Sequence, residues 1–224
     1  MSRFVKNPFA PKILFEGESD FSREIRVIDS GGVRKLLVDS YVQSVSLNSS
    51  GKVTGYWNTV MEIVQEQLKN PKKILILGLG GGTLVKLFNN KFQIEKIDGV
   101  EVDPKIVEIA KNYFWLSDPN LNIKVGDAIN YVRRKVDDYD AIMVDLYLGG
   151  NLLEATGKQE FFENLAKNLK KGGLVMLNRI YDFASKEKTL EAYHLLKRVF
   201  GNSNWVQAEP YFKSNNIILY SIKN

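Results

Sequence analysis

The sequence predicts an α/β fold, a mostly parallel sheet sandwiched by helices with a small antiparallel β unit before it, and two observations carry that prediction. From Lys73 onward short apolar runs alternate with amphipathic stretches, the pattern of strands buried on both faces and their crossover helices. Before that point, residues 13–46 are rich in β-branched types and are broken by the turn pair Gly31-Gly32, which predicts antiparallel strands. A chain of 224 residues suits one sizeable core with a small appendage. The boundary is placed after residue 54, giving a β region over 1–54 and an α/β domain over 55–224.

Taken in order, ILFEG, REIRVID and VRKLLVD are the strand candidates of the β unit. Over Tyr56–Leu68 the apolar residues Val60, Met61, Val64 and Leu68 recur at helical spacing, so a helix is predicted up to the Asn70-Pro71 break. The α/β domain then has strands at 74–77, 97–102, 121–125, 141–146 and 174–178. Helices are predicted near 83–90, 104–114, 127–135, 158–170 and 186–200. NWVQAEP and NNIILYSI close the chain as a hairpin on the sheet edge.

Composition narrows the chemistry. With no cysteine and one histidine, His194, the chain lacks disulfides, a thiol nucleophile and the usual zinc ligands, so no metal is expected. His194 falls in the amphipathic segment TLEAYHLLKRVF, where a lone histidine is a packed or surface residue more often than a catalyst. MSRFVKNPFAPKILFEG has no apolar run of leader length and no stretch reaches membrane-spanning length, so a cytoplasmic protein without a membrane partner is expected. A net charge of +5 would admit a polyanion, yet the basic residues sit in short runs such as Arg133-Arg134-Lys135, among acids. Such runs belong on solvated helix ends, and nucleic acid is not an expected partner.

The candidate site begins where the strand ILIL runs into Gly78-Leu79-Gly80-Gly81-Gly82-Thr83 and a helix, the context of a nucleotide-binding turn in a Rossmann-like fold. Glycine tolerates positive φ and admits a ligand close to the backbone. About 20 residues on, the next strand ends in Glu101, where such folds place a ribose-binding carboxylate. The nearby Asp103-Pro104 reads as a helix cap. Gly126-Asp127-Ala128 and Val144-Asp145-Leu146-Tyr147 end the third and fourth strands, so Gly78, Glu101, Asp127 and Asp145 are expected to converge on one crevice. Each acid could alternatively be a cap or a solvated turn residue. A classical dinucleotide is the competing ligand. The dense glycine turn, the single mononucleotide half and the placement of Asp127 beside an adenine amino group point instead to an adenosyl cofactor.

These residues resemble the spermidine synthase family of polyamine aminopropyltransferases and its methyltransferase-fold relatives. The resemblance runs through VRKLLVDSYVQS, YWNTVMEIV, PKKILILGLGGGTL, DGVEVDPKIVEIAKNYF, GDAINYV and YDAIMVDLY to the terminal hairpin. It implies the S-adenosylmethionine-dependent methyltransferase fold with a seven-stranded, mostly parallel sheet, and an N-terminal β region used in self-association as a homodimer or homotetramer. Residue by residue, it implies that Gln43 reaches over the nucleoside, that Glu101 binds ribose, and that Asp127, with Ala128 in place of a second glycine, binds adenine. Gly78, Gly80, Gly81 and Gly82 would contact the cofactor, either S-adenosylmethionine or its decarboxylated form. Asp145 matches the acid that orients or deprotonates the attacking amine, and Tyr56 matches the tyrosine of the family's Y-H-E-M helix. Phe114 and Trp115 resemble the aromatic close of the preceding helix and are read as core.

Three polar anchors of the family are replaced: its glycine-turn aspartate is Gly81, its H-E pair is Trp57-Asn58, and the second aspartate of D-S-[ST]-D-P is Leu148. An aspartate at Gly81 would attract the amine of the decarboxylated cofactor and repel the carboxylate of the intact one. A glycine there is expected to offer a free N–H near a helix N-terminus, where a carboxylate is favoured. The leading expectation is therefore methyl transfer from S-adenosylmethionine to a small-molecule acceptor less charged than a polyamine, with Tyr56, Tyr147 and Trp57 shaping its side. A divergent aminopropyltransferase acting on an amine is the alternative, and a catalytically silent nucleoside-binding module is another.

Overall fold

The computed structural model describes residues 10–148, 151–181, 185–210 and 215–224, so residues 1–9, which contribute to the leader expectation, lie outside the described part. The β unit is a four-stranded antiparallel sheet in sequential order: β1 (Lys12–Gly17), β2 (Ile25–Ser30), β3 (Val33–Val38) and β4 (Tyr41–Val45). Gly31 and Gly32 turn between β2 and β3 with φ of 63° and 77°, the positive values that a two-residue hairpin needs to match strand twist. Ile25, Val27, Leu36 and Val38 of this sheet are buried against Ile106, Ile109 and Phe114 of a helix of the α/β domain, so the appendage shares a core with it.

After α1 (Tyr56–Gln67), the α/β domain runs β5 (Lys73–Leu77), α2 (Thr83–Lys91), β6 (Lys96–Glu101), α3 (Pro104–Phe114), β7 (Leu121–Val125), α4 (Ala128–Val132) and β8 (Tyr139–Val144). A short β9 (Tyr147–Leu148) and β10 (Asn151–Leu152) follow, then a 3₁₀ turn at Glu154–Gly157 and α5 (Gln159–Lys167). The chain closes with β11 (Leu169–Ile180), α6 (Lys186–Phe200), β12 (Asn204–Gln207) and β13 (Asn216–Ile222). The seven-stranded sheet has the order β12-β13-β11-β8-β5-β6-β7, and pairing is parallel from β11 to β7 and antiparallel at β13 and β12. The expected fold class therefore holds. The connection closing the terminal hairpin includes residues 211–214, which lie outside the described part.

Several boundaries differ from the sequence expectation, the strand expected over 174–178 running over Leu169–Ile180, and three of the differences have a clear local reason. The fourth strand stops at Val144 rather than 146, because the Asp145 N–H bonds back to the Leu77 carbonyl at 2.8 Å and the chain leaves the ladder. The helix expected over 158–170 ends at Lys167. Asn168, fully buried, turns its amide onto the carbonyls of Val132, Arg134 and Asn164 and frees the chain to start β11. The helix expected over 127–135 spans only 128–132, with Asp127 as its cap. Trp115, read as core, is 60% exposed: it is the left-handed C-cap of α3, which turns the ring outward beneath the Arg34 guanidinium at 4.4 Å. Phe114 is buried as expected, and His194 is exposed.

Topology places the site. From β5 the chain proceeds outward through β6 and β7, then returns to the other side of β5 as β8, so the strand order reverses between β5 and β8. A crevice at the carboxyl ends of these strands follows, which is where open α/β sheets bind ligands.

Candidate active site

One pocket opens at that crevice. Its floor is the glycine turn and its sides are the ends of β6, β7 and β8, with α1 and the N-terminal sheet closing it. Gln43, Tyr56, Trp57, Gly78, Gly80, Glu101, Asp127, Ala128, Asp145 and Tyr147, all expected at the site, line it. Gly81 and Gly82 do not.

The glycine turn works differently from its sequence reading. Gly78 has φ of 89° and packs against the backbone carbonyl of Asp145, so it brings β5 and β8 together beneath the ligand space. All five N–H groups of the turn are taken within the protein. Gly78 and Leu79 donate to the Val100 carbonyl, Gly80 to Glu101 Oε2 at 2.9 Å, Gly81 to Ser44 Oγ at 2.7 Å, and Gly82 to the Leu79 carbonyl. The expectation that Gly81 offers a free N–H and room for a carboxylate is thus corrected. A Cβ at Gly81 would stand 2.8 Å from the Ser44 Cβ and 3.3 Å from the Phe114 ring, so its missing side chain is the space that β4 and α3 occupy. Gly82 is likewise filled by Leu116. Thr83 completes the stitching: its hydroxyl donates to the Val45 carbonyl and accepts the Val45 N–H.

A prediction follows. Gly81→Asp, which restores the family's acid in sequence, is expected to cost about 1–3 kcal/mol of stability through overpacking and to leave affinity for decarboxylated S-adenosylmethionine no tighter. Urea denaturation with a parallel calorimetric titration checks this, and an unchanged midpoint with tighter binding would refute it.

The acids divide their labour. Glu101 accepts the Gly80 N–H with Oε2 and the Asp103 N–H, at 3.2 Å, with Oε1, which fixes both oxygens at the pocket edge. Burial pushes its carboxyl above the ordinary range, and these backbone donors offset part of the effect. Asp103 caps α3 through the Lys105 N–H at 2.8 Å, as its sequence context indicated, with Pro104 in the first helical turn. Its other oxygen receives the Ser19 hydroxyl at 2.5 Å, tying the β1–β2 loop beside the pocket. That loop adds Phe21 and Ser22 to the lining. Asp127, read as an adenine ligand, is also a cap: its Oδ1 accepts the Asn130 N–H at 2.7 Å. The side chain is exposed, leaving the second oxygen for a ligand.

Asp145 is the acid held by two side-chain donors. Tyr56 Oη donates to its Oδ2, and Asn178 Nδ2 donates to its Oδ1 at 2.9 Å. Burial raises the Asp145 carboxyl above its ordinary value, while the Tyr56 and Asn178 donors, with Arg179 at longer range, pull it partway back. The Tyr56 hydroxyl is in turn pushed well above the usual tyrosine value, first by burial and then by the Asp145 charge. Trp57 lies against Tyr56 with ring centroids 4.4 Å apart, and Tyr147 accepts the Ile180 N–H at 2.7 Å. Leu148 lies in β9, but its side chain is outside the described part.

Sequence reading missed Ser44, Phe21, Asn178 and Arg179. The signal for the last two was present: Asn178-Arg179 interrupts the apolar run LVMLNRI, and both side chains are buried. Arg179 donates to the carbonyls of Asn178 and Thr156 and reaches Asp145 only through its charge. The pocket lining therefore contains four carboxylates, from Glu101, Asp103, Asp127 and Asp145, and no lysine, arginine or histidine among the described residues. Among the described residues no cluster is placed to hold a metal ion, and no helix is long and apolar enough to cross a membrane.

A seven-stranded Rossmann-like sheet with carboxylates gathered at its switch point defines a protein of the methyltransferase-fold class. Residues 53–223 match the spermine/spermidine synthase domain, and the chain belongs to that family. It is 30% identical to a spermidine synthase of Solanum lycopersicum over 171 residues, which is 73% of this chain and 48% of the relative. A spermine synthase of Arabidopsis thaliana is also 30% identical, with 73% and 46% covered. The chain thus spans about half the length of the curated relatives it matches. Among solved structures, a spermidine synthase from Thermotoga maritima superposes with a TM-score of 0.78 at 19% identity, over 95% of this chain and 73% of that one. Human methyltransferase-like protein 13, in complex with SAH, gives a TM-score of 0.61 at 25% identity, over 71% and 75%.

Proposed function

We propose that the chain is an aminopropyltransferase that uses decarboxylated S-adenosylmethionine and an amine acceptor. The observation that supports it is the charge of the pocket: four carboxylates and no basic side chain among the described lining residues. The intact cofactor would bring a carboxylate into that field, and the glycine-turn N–H groups that could receive it are already engaged. The decarboxylated form brings only positive charge, which such a pocket favours. Family membership points the same way, so the aminopropyl alternative displaces methyl transfer as the leading reading.

The residues present fit the cofactor. Glu101 and Gln43 would hold the ribose, Asp127 and Ala128 the adenine, and Asp145 would face the transferring centre. When bound, the cofactor supplies an electrophilic carbon next to its sulfonium. Asp145 would take the proton that the acceptor nitrogen sheds as that nitrogen replaces sulfur on the carbon, with methylthioadenosine as the neutral thioether leaving group. Trp57, Leu146, Tyr147 and Leu153 give the acceptor side an apolar and aromatic wall, suited to an amine less charged than a polyamine.

Calorimetric titration with both cofactor forms tests the proposal. Decarboxylated S-adenosylmethionine is expected to bind about tenfold tighter or more, a gap of at least about 1.4 kcal/mol. Equal or tighter binding of S-adenosylmethionine would favour the second reading, methyl transfer. That reading draws on the loss of the family's aspartate at Gly81 and on the 25% identity to human methyltransferase-like protein 13. If neither form bound, the enzyme readings would both fail and the silent module would stand.

A further inference from the structure

Two buried amides behind the pocket have no part in the scheme above. Asn178 on β11 and Asn216, the first residue of β13, are 4% and 5% exposed. Neither lines the pocket. Burying an amide without partners costs about 1–3 kcal/mol, so two of them in an apolar sheet call for a physical reason. Their hydrogen bonds form a directed chain: Asn216 Nδ2 donates to Asn178 Oδ1 at 2.7 Å, and Asn178 Nδ2 donates to Asp145 Oδ1 at 2.9 Å. The first bond fixes the second. Because Asn216 presents a donor to Asn178 Oδ1, the Asn178 amide is oriented with its own donor toward Asp145. The reversed amide would set an oxygen against the carboxylate.

We infer that Asn178, oriented by Asn216, is a positioning residue that holds the Asp145 carboxylate ionised and fixed at the pocket wall. The pair does this with neutral donors. A lysine or arginine in the same place would neutralise the charge that a ligand ammonium needs, whereas an amide favours the ionised form and leaves that charge available. The charged or titratable groups acting on Asp145 are Tyr56 of α1 and Arg179 of β11, and Tyr147 acts on both of those. Asn178 is thus the donor to Oδ1 just as Tyr56 is the donor to Oδ2, and together they leave the carboxylate one orientation. The catalytic consequence rests on the proposed transferase reading, but the ionisation itself is measurable without turnover.

The test is a carbon-13 NMR titration of carboxyl-labelled aspartate in the full chain without cofactor, with Asp145→Asn identifying the signal. Asn178→Leu is expected to move the Asp145 midpoint up by about one pH unit, and Asn216→Leu to move it in the same direction by less. An unchanged midpoint in whichever of these variants folds would overturn the inference. A wild-type measurement needs no variant: the Asn178 side-chain amide signal should titrate with the Asp145 midpoint, and a flat response would overturn the inference equally. Loss of all turnover in the wild type would sink the transferase reading while leaving this titration to decide the role of Asn178.

Discussion

Asp145→Asn is expected to lower turnover on an amine acceptor by about 10²–10⁴-fold, the range that removal of a positioned general base produces. The substitution keeps shape and burial. Its amide oxygen can accept the Asn178 donor that Oδ1 now accepts, and its nitrogen can meet Tyr56 Oη, so the variant should fold with the pocket intact. What it loses is the ability to take a proton and the charge that holds an ammonium. The pH profile gives the sign. Burial, the largest influence on Asp145, raises its carboxyl, so the base form is present above that raised value and is lost as pH falls through it. Wild-type turnover should therefore show an acid limb above the ordinary carboxylate range, and the asparagine variant should show none. Steady-state kinetics across pH measure both, and full turnover in the variant would remove Asp145 from the mechanism.

Gly78→Ala is expected to be the most damaging single change to the fold, costing about 3 kcal/mol or more, or preventing recovery of folded protein. Two effects coincide there. The backbone sits at φ of 89°, where a Cβ is strained, and the added methyl would overlap the carbonyl of Asp145. Neither strand can retreat, because Gly78 is bonded to the Val100 carbonyl and Asp145 to the Leu77 carbonyl. Gly31→Ala supplies the contrast: φ is 63° but nothing lies within 4 Å of the new atom, so only the conformational cost of about 1–2 kcal/mol applies. Urea denaturation of the two variants separates the terms, and equal losses would mean that the contact with Asp145 is unimportant.

Much of the fold was legible because it is written in local patterns. ILIL, AIMVDL and LVMLN are apolar on both faces and could only be central strands, and Asp103-Pro104 marks the start of α3 by capping chemistry alone. The candidate site was legible in its acids, since a carboxylate at the end of each of several strands is a one-dimensional signal of a shared crevice. The glycine turn was legible as a turn and misleading in detail. Four closely spaced glycines suggest ligand contact throughout, but a glycine is also required wherever another side chain fills its Cβ position, as Ser44 does at Gly81 and Leu116 at Gly82.

By itself, then, the sequence determined the α/β layering and the set of carboxylates at the strand ends, because burial periodicity and strand-end residues are properties of neighbouring residues, whereas the strand order that puts a switch point between β5 and β8 came only with the structure. Only the tertiary structure decided which glycines face the pocket, which N–H groups remain for a ligand, and that no basic residue among those described enters the lining. It also decided that Asn178 and Asn216, 38 residues apart, join behind Asp145. The reason is physical: a hydrogen bond or a contact across the sheet depends on where distant strands bring their side chains, and no local spacing encodes that distance.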